Sequence, residues 1–166
     1  MVHQIITKIG AKIPKCECML NYSFSNKLLC LEALNSNTYP IHFLGATHKI
    51  RKNDALAVLG DARMAASLCK EWWNSSTPRL TPVNWDTLRK DALNNVPLAI
   101  LGRQTGLADC VVLNPGQTRD VNGYMASDRT VATAVEALFG AVYLDGGEEA
   151  MEAVLRGLGL FEHKLL

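Results

Sequence analysis

Two carboxylates stand out for their surroundings. Glu136 is the one charged residue in 131–144, a run otherwise made of apolar, small or Thr residues. A helix that is apolar all round belongs in a core, and a lone acid there must find a cation, a hydrogen bond or a proton. Asp61 lies in a second run, 53–73, where Val58, Ala62, Ala65, Cys69 and Trp72 recur at three- and four-residue spacing. That spacing is the stripe of a packed helix. Asp54 shares the flank of Asp61 two turns away, with Ala57 between them. If Asp61 and Glu136 face each other, they form a candidate metal site. Gly60, Ala137 and Gly140 are small enough to let the two helix backbones approach. Read by burial alone, the same pair is two acids satisfied by backbone, water or a basic partner.

The elements that would hold these acids follow from caps and breakers. Ser25 is a good N-cap for the apolar run 28–34, with Tyr22 and Phe24 packing beneath it. Residues 35–52 make a long connection containing Pro40 and Gly45, with Ile41, Phe43 and Leu44 expected to pin it to the core. It ends in a basic cluster, His48-Lys49-Ile50-Arg51-Lys52, which reads as a solvated loop or as a lip that contacts phosphates. Asn53 caps the Asp61 helix, and the polar stretch 74–78 ends it. Thr81-Pro82 is an N-cap followed by Pro in the first turn. Trp85, Leu88, Ala92, Leu93, Leu98 and Leu101 give the inner face of this region, and Pro97 should kink or split it. Gly102 and Gly106 close it, 110–113 is a short β-branched run, 114–116 a turn and 119–125 a polar loop. Ser127 caps the Glu136 helix with Asp128 on its dipole, Gly146-Gly147 ends that helix, and 148–158 forms a last amphipathic one. The sum is an all-α domain with little or no strand.

Composition narrows the classes. The 166 residues fit one domain with a sizeable core. A net charge of +1 gives the whole chain no strong polyanion-binding field, so any nucleic-acid contact must be local. No apolar run reaches the ~18 residues of a membrane span, and the first fifteen residues lack the apolar centre of a secretory signal. Those residues hold Lys8, Lys12 and Lys15, no acid, and Ile5, Ile6, Ile9 and Ile13 at helical spacing. They fit a first helix laid on the domain or, by composition, a mitochondrial presequence. The location expected is intracellular, cytoplasmic or mitochondrial. Five scattered cysteines show no CxxC spacing, and the odd count argues against a full disulfide framework. Cys30 and Cys69 read as buried thiols. Cys16 and Cys18 read as near a surface turn, reduced and structural, although oxidation could join two chains there.

Residues 53–62, Asn-Asp-Ala-Leu-Ala-Val-Leu-Gly-Asp-Ala, resemble the signature helix of the ribonuclease III catalytic domain. Residues 135–145, from Val135-Glu136-Ala137 to Tyr143-Leu144-Asp145, resemble its second conserved block. Leu20-Asn21-Tyr22-Ser23-Phe24, followed by Leu28, Leu29, Ala33 and Leu34, is similar to the family's opening helix. Leu113-Asn114-Pro115-Gly116-Gln117 is similar to the turn after its middle helices. These stretches run in family order over residues 20–157.

The resemblance implies the all-α ribonuclease III endonuclease-domain fold over residues 20–166, after an N-terminal extension at 1–19. It also implies a homodimer and magnesium-dependent hydrolysis of double-stranded RNA, with four acids per site holding the metal. Asp61 and Glu136 match two of those four. Ala57 and Thr133 stand where the family has the other two, and Asp54 matches an acidic position one turn before Ala57. Arg63 replaces an apolar residue and points away from Asp61 on the helical wheel. The resemblance therefore implies a domain with incomplete catalytic carboxylates, impaired in cleavage, serving as a dimeric double-stranded-RNA-binding or ribosomal structural protein. Asp61 and Glu136 would hold Mg2+ or Mn2+ weakly, and His48, Lys49, Arg51 and Lys52 would contact RNA. No double-stranded-RNA-binding domain is expected after the last helix, and no membrane contact. One alternative is an active endonuclease using Asp54, Asp61 and Glu136, alone or beside an intact partner. Another is a protein-interaction module that does not touch RNA.

Overall fold

The computed structural model describes residues 9–75, 80–114 and 126–166. Among these, the chain forms six α-helices, one short 3-10 helix at Leu107–Cys110 and one small hairpin, as an all-α domain should. The helices are α1 (Lys12–Leu20), α2 (Lys27–Leu34), α3 (Asp54–Asn74), α4 (Pro82–Leu93), α5 (Asn95–Gln104) and α6 (Asp128–Gly157). Helix α6 is the central post, and α2, α3 and α5 all pack on it. Its Val131, Val135, Leu138, Phe139 and Val142 are all buried, so the all-round apolar run does what such a run must.

The crossing of α3 and α6 rests on two glycines. A Cβ added at Gly60 would lie 1.8 Å from the Glu136 carbonyl oxygen, and one at Gly140 would lie 2.4 Å from the Leu56 carbonyl oxygen. No side chain fits at either place, so backbone packs on backbone. Gly147, at φ 81° and ψ −174°, breaks the helical path of α6 at the expected place. Beyond it, α6 is tied back to α3 by Lys70 to Glu152 at 3.0 Å and Arg156 to Glu71 at 2.9 Å.

Several local expectations change. The buried face of α3 is Leu56, Ala57, Gly60, Met64, Ser67 and Leu68. The Val58–Ala62 side is not the packed one, and Val58 is 73% exposed. Glycine carries no hydrophobic signal, yet Gly60 sets which face meets α6, so a stripe drawn through apolar residues comes out rotated. Asn26 caps α2, its side chain accepting from the Leu28 N–H at 3.1 Å, while the Ser25 N–H donates elsewhere. Pro97 falls in the first turn of α5, where its missing N–H is harmless, and the split comes before it at Asn94. Thr81 caps α4 as expected. Cys16 is not near a surface turn. It lies fully buried in α1 beside Ile9, Ile13 and Leu20, and a hydrogen bond with the Cys30 thiol, then burial, hold its own thiol far above the ordinary range. Cys30 is buried as expected, Cys69 half-buried and Cys18 exposed.

The connection before α3 is built differently from the helices. Ile41–Phe43 and Ala46–His48 pair antiparallel around a two-residue turn, Leu44-Gly45, with φ of 51° and 77°. Positive φ at both positions suits the twist of a tight hairpin. Ile41 is buried, but Leu44 stands 75% exposed at the tip and pins nothing. Buried asparagines hold the segment instead. Asn35 Nδ2 donates to the Ile50 and Arg51 carbonyls at 3.2 and 3.0 Å, and its Oδ1 accepts from the Asn37 N–H at 3.2 Å. Asn53 begins α3 without a side-chain cap and donates to the Ala33 carbonyl at 3.0 Å. The expected turn and polar loop at 115–125, and residues 1–8 and 76–79, lie outside the described residues.

Candidate functional site

Close approach at Gly60 and Gly140 brings Asp61 and Glu136 beside each other across the α3–α6 crossing. Burial first, and then the charge of Asp61, push the Glu136 carboxyl up from 4.5 to about 7. Such a group is partly protonated at neutral pH and could in principle give or take a proton. Asp61 lies nearer the surface. It borders a cleft of about 360 Å³ together with Arg89 and Leu93 of α4 and Asn94, Asn95 and Val96 where α5 begins. The Arg89 guanidinium stands 3.9 Å from an Asp61 carboxylate oxygen.

Ala57 and Thr133, where the sequence resemblance leads one to expect two further acids, both carry uncharged side chains. Ala57 is one turn before Asp61 and only 4% exposed, on the face that meets α6. Thr133 is one turn before Glu136 and half-buried. Asp54 is exposed in the first turn of α3, roughly 10 Å along the axis from Asp61. Among the described residues, no three His, Cys, Asp or Glu side chains converge closely enough to hold a metal ion. Magnesium prefers several oxygen ligands and strong negative charge. Two carboxylates, one of them facing an arginine, do not fit that demand.

The remaining residues divide between tied and exposed. Arg63 turns away from Asp61, as its place on the wheel predicts, and stacks 4.0 Å over the Tyr143 ring. In the basic cluster, His48 meets the Phe43 carbonyl at 3.1 Å and Arg51 pairs with Glu32 at 3.1 Å. Lys49 and Lys52 are exposed. Sequence reasoning missed Arg89, which carries no local signal because α4 and α3 meet only through the fold. It also left Asp145 without a role. That acid accepts from the Ser25 and Asn26 N–H groups and the Tyr22 hydroxyl, each at 2.8 Å, and so anchors the start of α2 on α6. Burial alone would raise its carboxyl, but the Asn26 and Ser25 N–H groups and the Tyr22 hydroxyl outweigh that and hold it below the usual range. Burial, then the bond to Asp145, pushes the Tyr22 phenol up to about 12.

Comparison with known proteins bears on the fold and the family. Residues 26–159 match the family model described as ribonuclease-III-like. The chain is 28% identical over 146 residues to ribonuclease 3 of Rhodopirellula baltica, covering 88% of this chain and 51% of that protein. It is 31% identical over 142 residues to ribonuclease 3 of Caldanaerobacter subterraneus, covering 86% of this chain and 60% of that one. The chain thus spans about half to three-fifths of the length of the curated relatives it matches. A solved nuclease domain of ribonuclease III from Campylobacter jejuni, described for flexibility in its dimer-forming region, superposes with a TM-score of 0.72 at 24% identity, covering 89% of this chain and 96% of that one.

Proposed function

This chain belongs to the ribonuclease-III-like family, and on that premise we propose that it is a cleavage-impaired member, which engages structured or double-stranded RNA as a dimer without cutting it. The observation that carries this reading is the pair of vacancies at Ala57 and Thr133 beside a retained Asp61 that faces Arg89. With half of the acids gone and a guanidinium close by, the site lacks the charge to hold the hydrated metal that would activate water and stabilise the scissile phosphate. Two features support a scaffolding role, of which a ribosomal structural protein is one form. Val58 and Trp73 on α3 are 73% and 69% exposed, two apolar side chains about 22 Å apart along the helix that contact with a second copy would cover. Lys49 and Lys52 are exposed just before α3 and suit phosphates. Among the described residues, no helix is long and apolar enough to cross a membrane.

The test is incubation of purified protein with duplex RNA and Mg2+ or Mn2+. Binding without cleavage is expected, with affinity falling as salt rises because phosphate contacts release counterions. Cleavage abolished by Asp61→Asn would overturn the reading and favour a working endonuclease. Absence of duplex binding even at low salt would favour a protein-interaction module instead.

A further inference from the structure

The loss of two acids explains why a metal would be held poorly, but not how Asp61 is balanced without one. We infer that the Arg89 guanidinium serves as the resident cation of this site, standing in for a divalent metal beside Asp61. The contact joins two elements. Arg89 belongs to α4, yet its side chain reaches Asp61 on α3 at 3.9 Å, and both border the same cleft at the start of α5. Neither is deeply buried, with side-chain exposures of 51% and 42%, so the pair adds little to folding stability. What it changes is the local field. Two carboxylates and one guanidinium leave at most a single negative charge, where four carboxylates would leave four. A fixed positive charge on the same carboxylate also repels a dication approaching it. Arg keeps its charge at every accessible pH, so the positive charge beside Asp61 cannot be titrated away.

The inference deepens the reading of a cleavage-impaired domain and rests on it, so its test uses metal binding alone, with no RNA. Manganese binding to the full chain is followed by electron paramagnetic resonance, with thermal unfolding in EDTA and in millimolar Mn2+ as a second readout. The unsubstituted protein should bind Mn2+ negligibly and unfold at the same temperature in both. Arg89→Gln should bind Mn2+ at least roughly tenfold more tightly and gain thermal stability only with the metal, since the repulsion between a dication and a nearby unit charge is gone. Arg89→Lys, which keeps the charge, should behave like the unsubstituted chain, and Arg89→Gln combined with Asp61→Asn should lose the gain. A purely structural Arg89 would shift the unfolding temperature without altering Mn2+ binding. The inference is overturned if Arg89→Gln leaves Mn2+ binding unchanged or weaker, or if Arg89→Lys gains binding equally. Cleavage of duplex RNA by the unsubstituted chain would instead sink the functional reading, a separate outcome from a separate assay.

Discussion

Glu136 and Asp145 lie nine residues apart on the same helix, and the fold treats them in opposite ways. Asp145 is surrounded by donors, two backbone N–H groups and the Tyr22 hydroxyl, and its carboxyl sits below the ordinary range. Glu136 is desolvated beside another acid, and its carboxyl is pushed up to about 7. One acid is used by the fold to seat α2 on α6. The other is carried at a cost to folding. A raised carboxyl kept where two helices cross is what the proposed reading expects of a former metal site. On that reading, Ala57, Thr133 and Arg89 nearby are what separates it from a site that holds metal.

The contrast can be broken at its geometric root. Gly60→Ala forces a methyl against the Glu136 backbone, so the helices must separate. A loss of about 3 kcal/mol, or ~10 °C in unfolding temperature, is expected by thermal denaturation. Separation should also let the Glu136 titration, followed by NMR, move down toward its ordinary value.

The structural acid comes next. Asp145→Ala leaves two N–H groups and a phenol without their acceptor. The cost should be about 2 kcal/mol at pH 7, given that bonds to a charged acceptor are the stronger kind. Because the Asp145 carboxyl is held below its unfolded value, this stabilisation is present at neutral pH and fades as pH falls through the acid range. Denaturant melts of both proteins should therefore converge near the acid end.

Glu136 should show the smaller effect, with reversed sign. Its carboxyl is raised in the folded state, so the fold binds its proton more tightly than the unfolded chain does. Stability attributable to it is present below the unfolded value near 4.5 and is lost as pH rises through about 7. Glu136→Gln should therefore stabilise at pH 8, by about 1 kcal/mol after allowing for solvent screening of a half-exposed group. At pH 4 the two proteins should melt alike. Asp61→Asn, which lifts one cause of the shift, should narrow the difference at pH 8.

The two blocks that hold the acids were legible in the sequence because each combines a charge with an apolar run that cannot be solvated. The split near Pro97, the break at Gly146-Gly147, the caps at Thr81 and Ser127 and the all-α class follow from local chemistry alone. Other features depend on contacts that no window contains. The buried face of α3 is chosen by Gly60, a residue without hydrophobic signal, which left Val58 on the wrong side of the expected stripe. The hairpin turns on Leu44-Gly45, where Asn-Gly would have announced a tight turn. Its connection is held by Asn35 and Asn53 buried against backbone carbonyls, although asparagine in a loop ordinarily signals exposure. Arg89 meets Asp61 only because α4 folds back along α3.

The most direct measurement of the central claim is anomalous diffraction from crystals of the full chain grown with millimolar Mn2+ near neutral pH. The account predicts no manganese peak between Asp61 and Glu136, with the Arg89 guanidinium turned toward Asp61. A well-occupied manganese ion bridging those two carboxylates, with Arg89 displaced, would contradict it.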